Sequence, residues 1–114
     1  MADSIENEIA VHIARNEKLV ELIEEHGASL DEDRAIDFFF YVNDRADAEG
    51  LAQDLSAADF RSVEVLPEQV GDKWSVHAER FASVLDITAA DFVESLVQVT
   101  MRHRAEFDGW GTAL

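Results

Sequence analysis

Residues 38–42 read Phe-Phe-Phe-Tyr-Val, and the stretch around them, Ala35 to Asn43, also carries Ile36. A short block of aromatic and β-branched residues bounded by polar ones reads as a β-strand. Ile36, Phe38, Phe40 and Val42 fall on one alternation, Phe39 and Tyr41 on the other. Apolar groups on both alternations call for an interior strand, paired on both edges and at least partly covered on both faces. The rest of the chain must supply the neighbouring strands and the covering layers.

Three segments qualify as strands. Ser62 to Leu66 places Val63 and Val65 on one face, and Pro67 limits it. Trp74 to Val84 opens by alternating Trp74, Val76 and Ala78 with Ser75, His77 and Glu79, a half-buried pattern. Phe107 to Leu114 forms a last short strand or an extended tail. Pro67 through Asp72 reads as a loop.

Helical patterns surround these strands. From Ser4 to about His26, Ile5, Ile9, Ile13, Val20 and Ile23 recur at helical spacing, joined by Leu19 and Leu22. Asp3 with Glu6 forms a capping box, and Gly27 stands where a left-handed residue ends a helix. Asn43 or Asp44 caps a second helix, Ala46 to Ala57, with Ala48, Leu51, Ala52 and Leu55 inward. Thr88 with Asp91 opens a third, reaching about Ala105, with Phe92, Leu96, Val99 and His103 along one face.

The order is a helix followed by β-α-β-β-α-β. That succession predicts an α+β fold: a ferredoxin-like α/β sandwich, an antiparallel sheet with two helices on one face. The leading helix is expected to cover the other face of the sheet or a neighbouring subunit, so removing residues 1–27 should expose apolar surface. A length of 114 residues suits one domain, and no repeat or Pro/Gly/Ser linker divides it. An N-terminal helix and acidic connection, 1–34, is expected on a core of residues 35–114.

Charge narrows the partners. Asp and Glu number 25 against 9 Lys and Arg, a net −16. Such a surface repels phosphate backbones, so direct nucleic-acid binding is not expected. The predicted third strand, Lys73-Trp-Ser-Val-His-Ala-Glu-Arg80, also lacks the glycine and second aromatic of an RNA-recognition strand. Without cysteine there is no disulfide framework and no thiolate metal site. The acidic opening residues are unlike a secretory leader, and no apolar run nears the ~18 residues of a bilayer span. A cytoplasmic protein away from the membrane is the expectation.

Reaction chemistry finds little support. No two of His12, His26, His77 and His103 are four residues apart, and none follows a Glu by three, so no metal-binding helix is expected. Glu8 and His12, at i,i+4, read as a surface ion pair. Gly27-Ala-Ser-Leu-Asp31 starts a nucleophile-elbow pattern but lacks its second glycine. There is no phosphate-binding Gly-x-x-x-x-Gly-Lys loop, and Gly109-Trp-Gly111 lacks the third glycine of a dinucleotide fingerprint. No cofactor and no catalytic residue are expected. A metal-independent dyad of His77 and Glu79 is the weakest reading; it requires the two to converge in a pocket.

Several segments together resemble a known family. Phe107-Asp-Gly-Trp-Gly-Thr112 follows a helix, and the aromatic strand Phe38 to Val42 precedes a helix containing Ala46-Asp-Ala-Glu-Gly-Leu-Ala52. With Ser62-Val-Glu-Val65 and the acidic amphipathic start, nearly the whole chain resembles the regulator of ribonuclease E activity B family. The resemblance implies a ferredoxin-like sandwich and a non-enzymatic role. Members bind the endoribonuclease ribonuclease E within its C-terminal scaffold region and reduce RNA cleavage. Some members continue past the Trp motif into an acidic tail; this chain ends at Leu114.

The expected partner is therefore ribonuclease E or another basic protein segment, met by acidic groups. Glu21, Glu24 and Glu25 on the first helix, with Asp31, Glu32 and Asp33 after it, are the candidate contacts. Asp108 and Trp110 are secondary candidates, Trp110 reading more readily as a packed core residue. Residues 1–34 hold ten acids and three bases, −7 of the −16, which points to this region as the docking surface. Only two of the basic residues are lysines, which a salty cytoplasm would also favour. A rival reading is a small-ligand or dimerisation module using its sheet face, lined by the aromatic strand and Trp74.

Overall fold

The computed structural model describes residues 2–67 and 73–113, with side chains in the first helix from Ile5 onward. The elements run α1 (Ala2–Glu25), β1 (Arg34–Val42), α2 (Arg45–Ala57), β2 (Arg61–Pro67), β3 (Trp74–Ala82), α3 (Val84–Thr88), α4 (Ala90–Arg102) and β4 (Ala105–Thr112). The side chain of Asp3, expected to cap α1, lies outside the described residues, as does the predicted loop beyond Pro67.

The four strands form one antiparallel sheet in the order β2-β3-β1-β4. The aromatic strand β1 is interior, flanked by β3 and β4. Ile36, Phe38, Phe40 and Val42 are buried on its inner face. Burying a side chain of this size contributes ~1.5–3 kcal/mol, so this one strand anchors the core. Phe38 meets Phe60 edge-on, with ring centroids 5.1 Å apart, and Phe40 lies 5.1 Å from Phe107.

The helices all contribute to this one core. Ile23 of α1, Ala48, Leu51 and Leu55 of α2, Val84 and Ile87 of α3 and Leu96 of α4 join the inner face of β1 and β3 in a continuous cluster. The expectation that α1 covers the opposite face of the sheet is corrected. α1 packs against α4 and α3 and over β4, where His12 meets Phe107 and Asn16 meets Trp110. The opposite face stays open: Phe39 is 42% exposed and Leu66 50%. Ser75, His77 and Glu79 alternate into it from β3, so this face is mixed polar and apolar rather than a second core.

Helix ends follow local chemistry. Gly27 adopts φ +75°, with Gly27 N–H bonded to Glu24 O at 2.9 Å and Ala28 N–H to Ile23 O at 3.2 Å. This is the paired-bond ending that only a left-handed residue allows without strain. Asp44 caps α2 by accepting from the N–H of Asp47 at 2.8 Å. The expected cap at Thr88 is corrected. Ser83 caps the separate short helix α3 through the N–H of Asp86, and Thr88 Oγ1 donates back to Val84 O within it. α4 then starts at Ala90 without a side-chain cap.

Candidate functional site

The acidic region comes first. The Schellman-type ending fixes the last turn of α1, so Glu21, Glu24 and Glu25, at i, i+3 and i+4, share an exposed face. Asp31, Glu32 and Asp33 follow, also exposed. Among the described residues none of the six forms an ion pair; Asp31 accepts a hydrogen bond from the Ser29 hydroxyl. Each solvated carboxylate contributes little alone, but together they set a local negative field.

The segment Phe107-Asp-Gly-Trp-Gly-Thr112 forms most of β4. Phe107 pairs with Phe40 and Trp110 with Phe38, so both rings turn into the core. Asp108 is the extra residue of a bulge and is exposed, and Gly109 next to it has φ +143°. Trp110 is only 8% exposed, and its Nε1 donates to Asn16 Oδ1 at 2.7 Å. The indole therefore locks α1 to the sheet rather than projecting outward, and the parts of the motif turned away from the core are Asp108 and the two glycines.

Beneath α1, His12 is only 4% exposed, 4.8 Å from the Phe107 ring. The expected contact with Glu8 is present at 3.7 Å, but His12 is buried rather than at the surface: burial is the largest influence on its pKa and lowers it, against the raising effect of Glu8. His12 and Asn16 are two polar residues on the buried line of α1, which apolar periodicity passes over. A cleft of about 280 Å³ beside them is lined by Arg15, Lys18, Asp108 and Trp110 among others.

On the open face, His77 and Glu79 do not converge. His77 Nε2 lies 3.0 Å from Asp37 Oδ1, while Glu79 accepts from Arg61 Nε at 2.6 Å. The two take different partners on a sheet surface, which removes the dyad. Trp74 lies across from Val42 on the helix side of the sheet, under the Arg45 guanidinium at 5.6 Å, so it does not line this face. Phe39, Tyr41, Glu64, Leu66, Ser75 and His77 border a shallow depression of about 350 Å³.

A third polar pair joins α2 to the end of α4. His103 Nε2 lies 2.6 Å from Asp54 Oδ2, and this hydrogen bond is the main reason the Asp54 carboxyl sits below its usual range. Among the described residues no three His, Asp or Glu side chains gather as a metal site would need. No helix among them is long and apolar enough to cross a membrane.

The sequence model of the family described as regulator of ribonuclease activity B (RraB) matches residues 13–112. The chain belongs to the RraB family. No curated protein matches it. The match runs from the middle of α1 through β4, so it takes in all four strands and the Trp110 motif.

In this RraB family member the polar pairs sit apart, on different elements. The family is one of regulators, and the polar pairs here are dispersed, each satisfied by a structural partner. Sequence reasoning missed Asn16, the burial of His12, and the Asp37–His77 and Asp54–His103 pairs. Their partners lie 40 residues or more away in sequence, and only the folded register joins them.

Proposed function

We propose that this RraB family member is a non-catalytic, cytoplasmic regulator that docks on ribonuclease E, at its basic scaffold region, and lowers RNA cleavage. The observation that carries the reading is the family match over residues 13–112. The exposed carboxylates at Glu21, Glu24, Glu25, Asp31, Glu32 and Asp33, none in an ion pair among the described residues, support it physically. Acidic groups of this kind steer a basic partner to the encounter and act more on association rate than on final affinity. Asp108, exposed at the rim of the cleft that Arg15 and Lys18 also line, is a secondary contact in this reading. Trp110 supports docking by holding α1 in place, not as an exposed anchor.

The strand order β2-β3-β1-β4 supports reading residues 35–114 as a ferredoxin-like core. Residues 1–34 then complete a single domain. Retention of the chain on immobilised ribonuclease E, scanned from low to high salt, tests the target. Retention that weakens as salt rises is expected, and no retention at low salt removes ribonuclease E as the partner.

The open sheet face favours a second reading, a ligand-binding or dimerisation module. Stabilisation by a small molecule in a melting screen, or a dimer in sedimentation, would support it.

A further inference from the structure

The residues of the Trp110 motif divide cleanly between the two faces of the sheet. Trp110 faces the core, while Gly109 and Gly111 lie across from Phe39 and Asp37 on the open face. Gly109 needs its lack of a side chain, since its φ of +143° is one that other residues rarely adopt. Gly111 does not. Its φ is not positive, and a Cβ placed on it would meet nothing within 4 Å. Neither backbone strain nor packing within the chain calls for glycine there. Together the two glycines leave a bare shelf along β4 beside Phe39 and Asp37, whose neighbour on the β3 side is His77, 3.0 Å from Asp37 Oδ1 and with its ring 5.2 Å from that of Phe39.

The charge beside that shelf is mostly negative, with His77 set next to Asp37 and Phe39. Asp37, Glu64, Glu79 and Glu106 occupy the open face, and Arg61, already bonded to Glu79, is the one arginine among the strand residues there. Phe39 and Tyr41 add aromatic surface and Leu66 an apolar margin. The chain repeatedly matches guanidinium to rings: Arg61 over Phe81 at the far end of this face, and on the helix side Arg45 over Trp74 and Arg80 over both Phe60 and Phe92, at 5.2–5.6 Å. Among the described residues no arginine lies over Phe39.

We propose that this open face docks an extended, arginine-bearing segment of a protein partner. The segment lies along the Gly109–Gly111 shelf, with one guanidinium on the Phe39 ring and hydrogen-bonded to the Asp37 carboxylate. Arginine is the specific cation because its plane stacks on an aromatic face while its fork meets a carboxylate; lysine does the first less well and the second singly. A second copy of the chain is a poor occupant, since two faces of the same negative sign would meet. The proposal deepens the reading of the chain as a protein-binding regulator and rests on it.

The probe is a labelled peptide of alternating arginine and serine, with a lysine-for-arginine counterpart, followed by fluorescence anisotropy. Gly111→Val and Phe39→Ala leave the net charge unchanged, so simple attraction to an acidic protein persists in both. Valine also suits a strand, which keeps Gly111→Val folded. The arginine peptide is expected to bind more tightly than the lysine one, with each variant weakening it about tenfold, the scale of a desolvated cation–π contact. Equal binding of both peptides, or binding untouched by Gly111→Val in a normally melting protein, overturns the proposal. So does a sheet-mediated dimer that binds neither peptide. Variant-sensitive arginine binding without retention on ribonuclease E upholds the face and removes only that target.

Discussion

The indole Nε1 of Trp110 donates to the amide Oδ1 of Asn16 at 2.7 Å, joining the last strand to the first helix across 94 residues. Both groups are buried, so water cannot replace either partner. α1 meets the sheet along β4, and this bond fixes the helix there in rotation and height.

Asn16→Ala should therefore cost ~1–3 kcal/mol, because it strands a buried N–H. Urea unfolding measures it. A loss under ~0.5 kcal/mol would show that the indole finds another acceptor and that the bond does not hold the helix.

Acid should loosen the same interface through His12. Its pKa is lowered in the fold, chiefly by burial, so the unfolded chain takes up the proton first. Where the unfolded state binds more protons, stability rises with pH. Stability is thus expected to fall as pH drops below the ordinary imidazole value of about 6.5. Replacing His12 with Phe should flatten that part of the curve. An unchanged slope in melts across this range would move its origin to other groups.

Gly50 meets His103 closely: a Cβ there would stand 2.9 Å from the ring. In an open helix, Gly to Ala gains ~1 kcal/mol. Here the ring is tied to Asp54, so Gly50→Ala must displace it and break that bond. Gly50→Ala should destabilise the native chain yet stabilise a His103→Ala chain. Thermal melts of the two single variants and the double variant read the reversal; a gain in both backgrounds would mean the ring moves freely.

Neutralising the end of α1 separates steering from docking. Glu21→Gln, Glu24→Gln and Glu25→Gln together should leave stability within ~0.5 kcal/mol, as exposed sites do. Association with ribonuclease E at low salt should slow, with dissociation little changed, in surface plasmon resonance. An unchanged association rate would remove this helix end from the encounter.

The parts of the fold that were legible in the sequence are those set by nearby residues. The aromatic alternation of β1, the Asp44 cap of α2 and the Gly27 ending of α1 depend on neighbours within a few positions, and each stands where expected. What escaped depends on distant partners. α1 was read by its isoleucines, yet its buried line includes His12 and Asn16, which make sense only beside Phe107 and Trp110. The short helix α3 stands before the expected third helix and has no counterpart in the linear pattern: Ser83 caps it, and Thr88, the expected cap, is its last residue. The acidic candidates are exposed as anticipated from their charge. The open sheet face was hidden because Phe39 and Tyr41 looked like core in a linear pattern, while their neighbours His77, Ser75 and Glu64 come from other strands.

The bulge in β4 has a consequence for how the strand tolerates changes in length. Phe107 pairs with Phe40 and Gly109 with Phe39, leaving Asp108 with no residue opposite. A chain lacking Asp108 would still seat Phe107 and Trp110 on the core side, in an unbroken ladder. The same loss within β1 would swing Phe38 or Phe40 out to water, since a shift of one residue exchanges the faces of a strand. One position of this sheet can therefore come and go without disturbing the interior, and it is the one that sets a carboxylate on the rim.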